Sequence, residues 1–168
     1  MAFKLIGSLD PHGGPVLRTE IVTDDVVLTE LDSVKAVLGF VSLGTTGVLV
    51  LGHVKSIVTY DGVGVTSDGA GGSYGGTYTM SATNETVLKT SATIDVSKNT
   101  LYSVDPDVAI GTTPGSNLLG YHTDIEDEDE TDEDTATTAT AQYTIHGVDP
   151  LDSGNQVVNI YESVIFGV

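Results

Sequence analysis

The feature that most constrains this chain is a period of two. Thr93-Ile94-Asp95-Val96 and Leu101-Tyr102-Ser103-Val104 each put apolar residues at every second position, and Ser97-Lys98-Asn99 between them supplies turn formers. In an extended chain successive side chains point to opposite faces, so such runs read as strands with one face for a core and one for solvent. The region from Thr19 to Tyr60 continues the theme with Glu20-Ile21-Val22, Val26 to Thr29, Ala36 to Val41, Val48 to Leu51 and Val54 to Val58, punctuated by Thr-Asp-Asp and Gly-Thr-Thr-Gly. That is strand length at hairpin spacing. A helix over residues 28–37 is the one competing local reading, and it has no clear cap. Toward the end, Ala141 to Val148 alternates, Asp149 to Asn155 is turn-like, and Gln156 to Phe166 is a long apolar strand candidate that must pair, because an unpaired strand of this kind invites aggregation.

The fold these runs predict is all-β, a single compact β-sandwich or barrel-like domain over 19–168 with an extended N-terminal arm and long surface loops. With 168 residues and 39% hydrophobic content the core is real but modest. The arm is residues 1–18, where Pro11, Gly13, Gly14 and Pro15 interrupt any regular element after the short apolar lead Phe3-Lys4-Leu5-Ile6. Residues 61–76 are dense in glycine and read as a flexible surface loop or the tip of a long hairpin. Residues 124–137 read as an acidic loop.

Charge is segregated. All six basic residues (Lys4, Arg18, Lys35, Lys55, Lys89, Lys98) fall in the first 99 positions, which also hold ten acids; the last 69 positions hold 14 acids and no base. Nucleic acid is thereby an unsuitable partner, since phosphate binding needs a basic patch that six scattered cations do not make. An anionic membrane surface is disfavoured on the same ground. The longest apolar stretch, Val34 to Val54, is broken by Lys35, glycines, Ser and Thr, so no membrane helix is expected. Met1 to Gly7 has the wrong make-up for a secretory leader. The run Asp124 to Asp134 holds nine of the 24 acids. It is either an acidic loop on an ordinary domain or part of an adaptation to high salt, where carboxylate repulsion is screened within about 3 Å near 1 M.

Motifs for chemistry are lacking. Counted as an EF-hand from Asp124, the sixth position is Asp129 and the twelfth Thr135; from Asp127 the sixth is Asp132, so the required glycine and acid are missing. The acidic run then gathers counter-ions diffusely, with cations bridging neighbouring subunits as the alternative. Gly71-Gly72-Ser73-Tyr74-Gly75 has the letters of a nucleophile elbow without the strand before and helix after that the motif needs. His12, His53, His122 and His146 are too widely spaced for a local zinc site and read as surface or strand-face residues. Asn84-Glu85-Thr86 spells a glycosylation sequon. No cysteine is present, so no disulfide or thiolate site arises. No enzyme activity, catalytic residue, cofactor or metal is expected.

The stretch Thr90 to Tyr121, TSATIDVSKNTLYSVDPDVAIGTTPGSNLLGY, resembles the small head-decoration, or capsid cement, proteins of tailed viruses. The resemblance extends loosely to Val48-Leu49-Val50-Leu51-Gly52-His53-Val54 and the residues to Thr59. It implies a virion structural protein at the capsid surface, and the acidity of the chain would suit a virus with a halophilic host. Its partners would be the major capsid protein and its own copies as a homotrimer, with Phe3, Lys4, Leu5 and Ile6 of the arm as capsid contacts. A tail-tube or other virion β-protein, and a carbohydrate-binding surface module, are the alternatives; the latter usually displays an aromatic platform, and this chain has no Trp.

Overall fold

A computed structural model describes residues 3–10, 15–59, 65–67, 77–80, 83–88, 90–113, 116–127, 130–137 and 141–161. They are nearly all β. After β1 (Lys4–Ser8), five strands form one sheet: β2 (Leu17–Ile21), β4 (Ser33–Val37), β5 (Phe40–Leu43), β6 (Gly52–Thr59) and β9 (Thr90–Asp95), in the order β2-β9-β6-β4-β5. An isolated parallel bridge, Val22↔Val41, ties the two ends of that sheet together. Between these strands, β3 (Val27–Thr29), β7 (Val65–Ser67) and β8 (Thr77–Met80) make a small sheet that brings Leu28 and Met80 into the same core. The short helix α1 (Asn84–Val87) follows β8.

The second half is β10 (Thr100–Pro106), β11 (His122–Asp127), β12 (Glu130–Thr137), β13 (Tyr143–Asp149) and β14 (Asp152–Ile160). Its pairings run β10-β12-β11-β13-β14 and return from β14 to β10, which closes a five-stranded barrel. A closed barrel removes the sheet edges that would otherwise pair promiscuously.

The two halves repeat one plan. Numbering strands within each half, the order is first, third, second, fourth, fifth and back to first, with the first and third parallel and every other pair antiparallel. The registers repeat as well. Ser33↔His53 and Val37↔Phe40 recur 90 residues later as Thr123↔Tyr143 and Asp127↔Glu130. Glu20↔Ala92 and Ile21↔Ser91 correspond to Ser103↔Val157 and Val104↔Gln156. At the closing seam, Thr23 N–H donates to Val41 O at 2.8 Å in the first half and Asp107 N–H to Thr131 O at 2.9 Å in the second.

Each half has its own apolar interior. Val22, Val34, Val41, Leu51, Val54, Ala92 and Ile94 fill the first; Phe3, Tyr102, Val104, Ile125, Tyr143, Ile145, Val158 and Ile160 fill the second. The all-β reading holds, and residues 28–37 contribute two strands and no helix.

Three features depart from the expectations. The segment Lys4–Ser8 is not a free arm: it lies antiparallel on β10, with Lys4↔Ser103 and Leu5↔Tyr102 in register. Residues 124–127 and 130–137 of the expected acidic loop are not loop either, because β11 and β12 form two walls of the barrel. Thr123, Ile125 and Thr131 point inward there, so the carboxylates ride on a strand pattern they do not themselves favour; context overrides propensity. Leu118-Leu119-Gly120-Tyr121, an apolar stretch that reads from the sequence as extended, forms a turn ahead of β11. The glycine-dense segment contributes β7; the rest of 61–76, with Gly71 to Gly75, lies outside the described residues.

Candidate interaction surface

The two halves meet over a buried aromatic joint. His53 sits on β6 and Tyr143 on β13, at equivalent register positions, and the Tyr143 hydroxyl lies 3.0 Å from His53 Nε2. His53 Nδ1 lies 2.9 Å from the Leu31 carbonyl, which fixes the tautomer: Nδ1 donates to Leu31 and Nε2 accepts from Tyr143. Full burial pushes the His53 imidazole down to about 4, against the smaller pull of its bond to Leu31, so the ring is neutral at pH 7. Phe3 and Tyr102 rings pack on it, with centroids 4.4 Å and 4.0 Å away.

Tyr102 in turn donates to Asp95 Oδ2 at 3.2 Å, where Thr100 Oγ1 also donates at 2.9 Å, while Ser97 N–H reaches Oδ1 at 2.9 Å. Burial, then the Asp95 charge, raises the Tyr102 phenol above its ordinary range; burial does the same to Tyr143, against a hydrogen bond with Ser33. Gln142 finishes the joint. Its side chain accepts from Ile125 N–H at 2.6 Å and donates to the carbonyls of Thr45, at 3.1 Å, and Val48.

Outside this joint the surface carries an apolar strip. Leu5, Ile6, Leu9, Val16 and Leu17 are all between two-fifths and three-fifths exposed. Leu5 and Ile6 line a cleft of ≈ 460 Å³ with Pro15, Lys55, Asp95 and Thr100 among others. β1 pairs only with β10 among the described residues, so its outer backbone edge borders the same region. Exposed apolar side chains beside an open strand edge are what a protein partner buries.

Of the four arm residues expected to meet a capsid, Leu5 and Ile6 lie on this strip, and Lys4 is exposed with Nζ 3.4 Å from Asp152. Phe3 does not: it is 1% exposed in the core of the second barrel, so its aromatic area is spent on this protein's own fold. Of the two places expected for the histidines, surface or strand face, His53 takes the strand face, on β6, and its burial there is complete. The signal for it was present in Val48 to Val54, an almost unbroken apolar run of the kind that strands buried on both faces display. Asn84 of the sequon is fully buried, with Nδ2 donating to Val22 O and Thr90 O and Oδ1 accepting from Thr90 N–H, so no glycan fits there.

The acidic hairpin holds one unusual carboxyl. Glu133 lies in the second barrel with Oε1 accepting from Gln156 Nε2, which also donates to Thr131 Oγ1 at 2.6 Å. Its Oε2, and Gln156 Oε1, are buried without a partner. Burial raises the Glu133 carboxyl to about 8, helped by Asp107 and opposed by Thr131 and Gln156. Among the described residues no cluster of three His, Asp or Glu side chains is placed to hold a metal ion.

No protein-family model, curated protein or solved structure matches this chain. Its function is therefore argued from the surface and the sequence alone.

Proposed function

We propose that this protein is a virion structural protein that binds the outer surface of a viral capsid and stabilises it by contact rather than chemistry. The observation that carries the reading is the apolar strip of Leu5, Ile6, Leu9, Val16 and Leu17 beside the open edge of β1, on a chain of net charge −18. A strand edge offers main-chain hydrogen bonds for affinity, and the flanking side chains offer contacts for selectivity. Leu5 and Ile6 make those contacts; Phe3 supports them from beneath by anchoring β1 in the barrel. Copies gathered as trimers on the shell would multiply modest contacts by effective concentration.

The deciding experiment adds purified protein to undecorated capsids and counts bound copies by mass spectrometry. Saturable binding at a fixed ratio to the major capsid protein, weakened by Leu5→Ser with Ile6→Ser, is the expected result. Absence of binding, or recovery of the protein only in tails, rejects the reading.

A further inference from the structure

The repeated plan of the two halves exposes a place that is filled in one and, among the described residues, vacant in the other. In the second barrel, the first half of β10 has β14 on one side and β1 on the other: Lys4 to Ser8 cover Thr100 to Ser103, just before the seam at Asp105↔Glu130. By register, Thr100 to Ser103 correspond to Leu17 to Glu20 of β2. There β9 covers one side, and among the described residues the other side has no strand before the Val22↔Val41 bridge. The backbone is aimed accordingly. Val22 N–H donates to Thr90 O and Val96 N–H to Val16 O, so in this antiparallel ladder the even-numbered residues bond to β9 and the N–H and C=O groups of Leu17 and Thr19 turn outward.

The vacancy has a shaped floor. A groove of ≈ 160 Å³ runs between this edge and the β4–β5 hairpin, lined by Arg18, Glu20, Ala36, Phe40 and Val41. At the hairpin tip, beside groove-lining Gly39, Leu38 stands 95% exposed with φ at +50°. An apolar residue in a left-handed conformation and in water is doubly unfavourable for the isolated fold. It is well placed to cover an incoming chain.

We infer that the open edge of β2 takes up an extended segment of a partner protein, antiparallel to Leu17–Glu20, in the way that β1 occupies the equivalent edge of the second barrel. The chemistry of the occupant follows from the molecule. β1 is Lys-Leu-Ile-Gly-Ser behind the Phe3 anchor, apolar and cationic, and a host of net charge −18 draws cationic segments and repels acidic ones. A second copy is the poorer donor, because its own β1 is held by the buried Phe3 and two such chains repel. The inference goes beyond the shell-binding reading and does not depend on it.

The probe is the capped peptide Phe-Lys-Leu-Ile-Gly-Ser, titrated into the intact protein and followed by hydrogen exchange. Binding should protect the amides of Leu17 and Thr19 while leaving Thr100 to Ser103 unchanged. The peptide with Glu in place of Lys should bind more weakly at low salt. Thr19→Pro removes an outward N–H, a substitution an open edge tolerates, and should weaken binding about tenfold or more. Leu38→Asn should also weaken binding while leaving the fold at least as stable, so it decides the matter if the proline variant fails to fold. The inference is overturned if the peptide does not bind or maps elsewhere, Thr100 to Ser103 included. It is equally overturned if Leu17 and Thr19 are already protected in the free protein, or if they are covered in a dimer that Thr19→Pro dissolves.

Discussion

Replacing Glu133 by Gln should change how the stability of this protein depends on pH, and the structure fixes the sign. The bond from Gln156 Nε2 to Glu133 Oε1 sets the amide and the carboxyl face to face, with Glu133 Oε2 and Gln156 Oε1 left as two acceptors lacking a donor. A proton on the carboxyl supplies that donor. The groups facing it are Thr131, Gln156 and Asp107, and the only charge among them, Asp107, disfavours ionisation. With a folded value of about 8 against 4.5 for a free glutamate, the folded state holds a proton that the unfolded state lacks between those limits.

Stability from this group is therefore complete below pH 4.5, falls as pH rises, and is gone above about 8. The slope is about 1.4 kcal/mol per pH unit, and the whole window is worth on the order of 5 kcal/mol. In E133Q the introduced side-chain amide would offer its own N–H to Gln156 Oε1 at every pH. Urea unfolding of the wild type and E133Q at fixed salt from pH 5 to 9 measures the difference, in which all other titrations cancel. E133Q should gain on the wild type steadily up to about pH 8 and level off above it; a difference independent of pH refutes the protonated pair.

Other substitutions probe the joint and the turns. Phe3→Ala should cost about 3–5 kcal/mol by emptying a core site, and deleting residues 1–8 should destabilise the second barrel rather than trim an idle arm; thermal melts report both. Tyr143→Phe leaves His53 Nε2 a buried acceptor without its donor and should cost about 1–3 kcal/mol at pH 7. Gly52→Ala places a methyl 2.3 Å from the Asp95 carbonyl oxygen, so a fold as stable as the wild type would contradict the tight β6–β9 contact drawn here. Leu38→Asn should stabilise by roughly 0.5 kcal/mol or more, since Leu38 and Gly39 both have positive φ in a two-residue hairpin turn that favours Asn-Gly.

The sequence displays its strands more clearly than their partners. Period-two runs such as Thr93 to Val96 and Tyr143 to Asp149 became strands because alternation is a local property that survives any arrangement of neighbours. The acidic stretch misled because nine carboxylates outweigh, by eye, the inward alternation of Thr123, Ile125 and Thr131. Phe3 misled for a different reason: its burial is settled by contacts with His53, Tyr102 and Tyr143, far away along the chain, and no local pattern encodes those.

The repetition of the two halves was hidden for the same cause carried further. Equivalent positions hold different chemistry: Val41 against Thr131, Leu43 against Glu133, Ser91 against Gln156, His53 against Tyr143. What the halves share is the hydrogen-bond register, which any strand-compatible residue satisfies, so side chains can differ while the plan is the same. The divergence has a consequence at the closing seams. The first half joins its ends by a single bridge over aliphatic Val22, Val41 and Leu51, backed by the added sheet of β3, β7 and β8. The second closes by Asp105↔Glu130 and Pro106↔Thr131, with Glu133, Gln156 and Thr131 behind them and no added sheet among the described residues. An aliphatic seam is indifferent to pH, whereas one closed over a carboxyl opens when that carboxyl ionises. Hydrogen exchange at pH 9 should thus loosen Glu130 to Glu133 of β12 before any amide of β5, and E133Q should abolish that order.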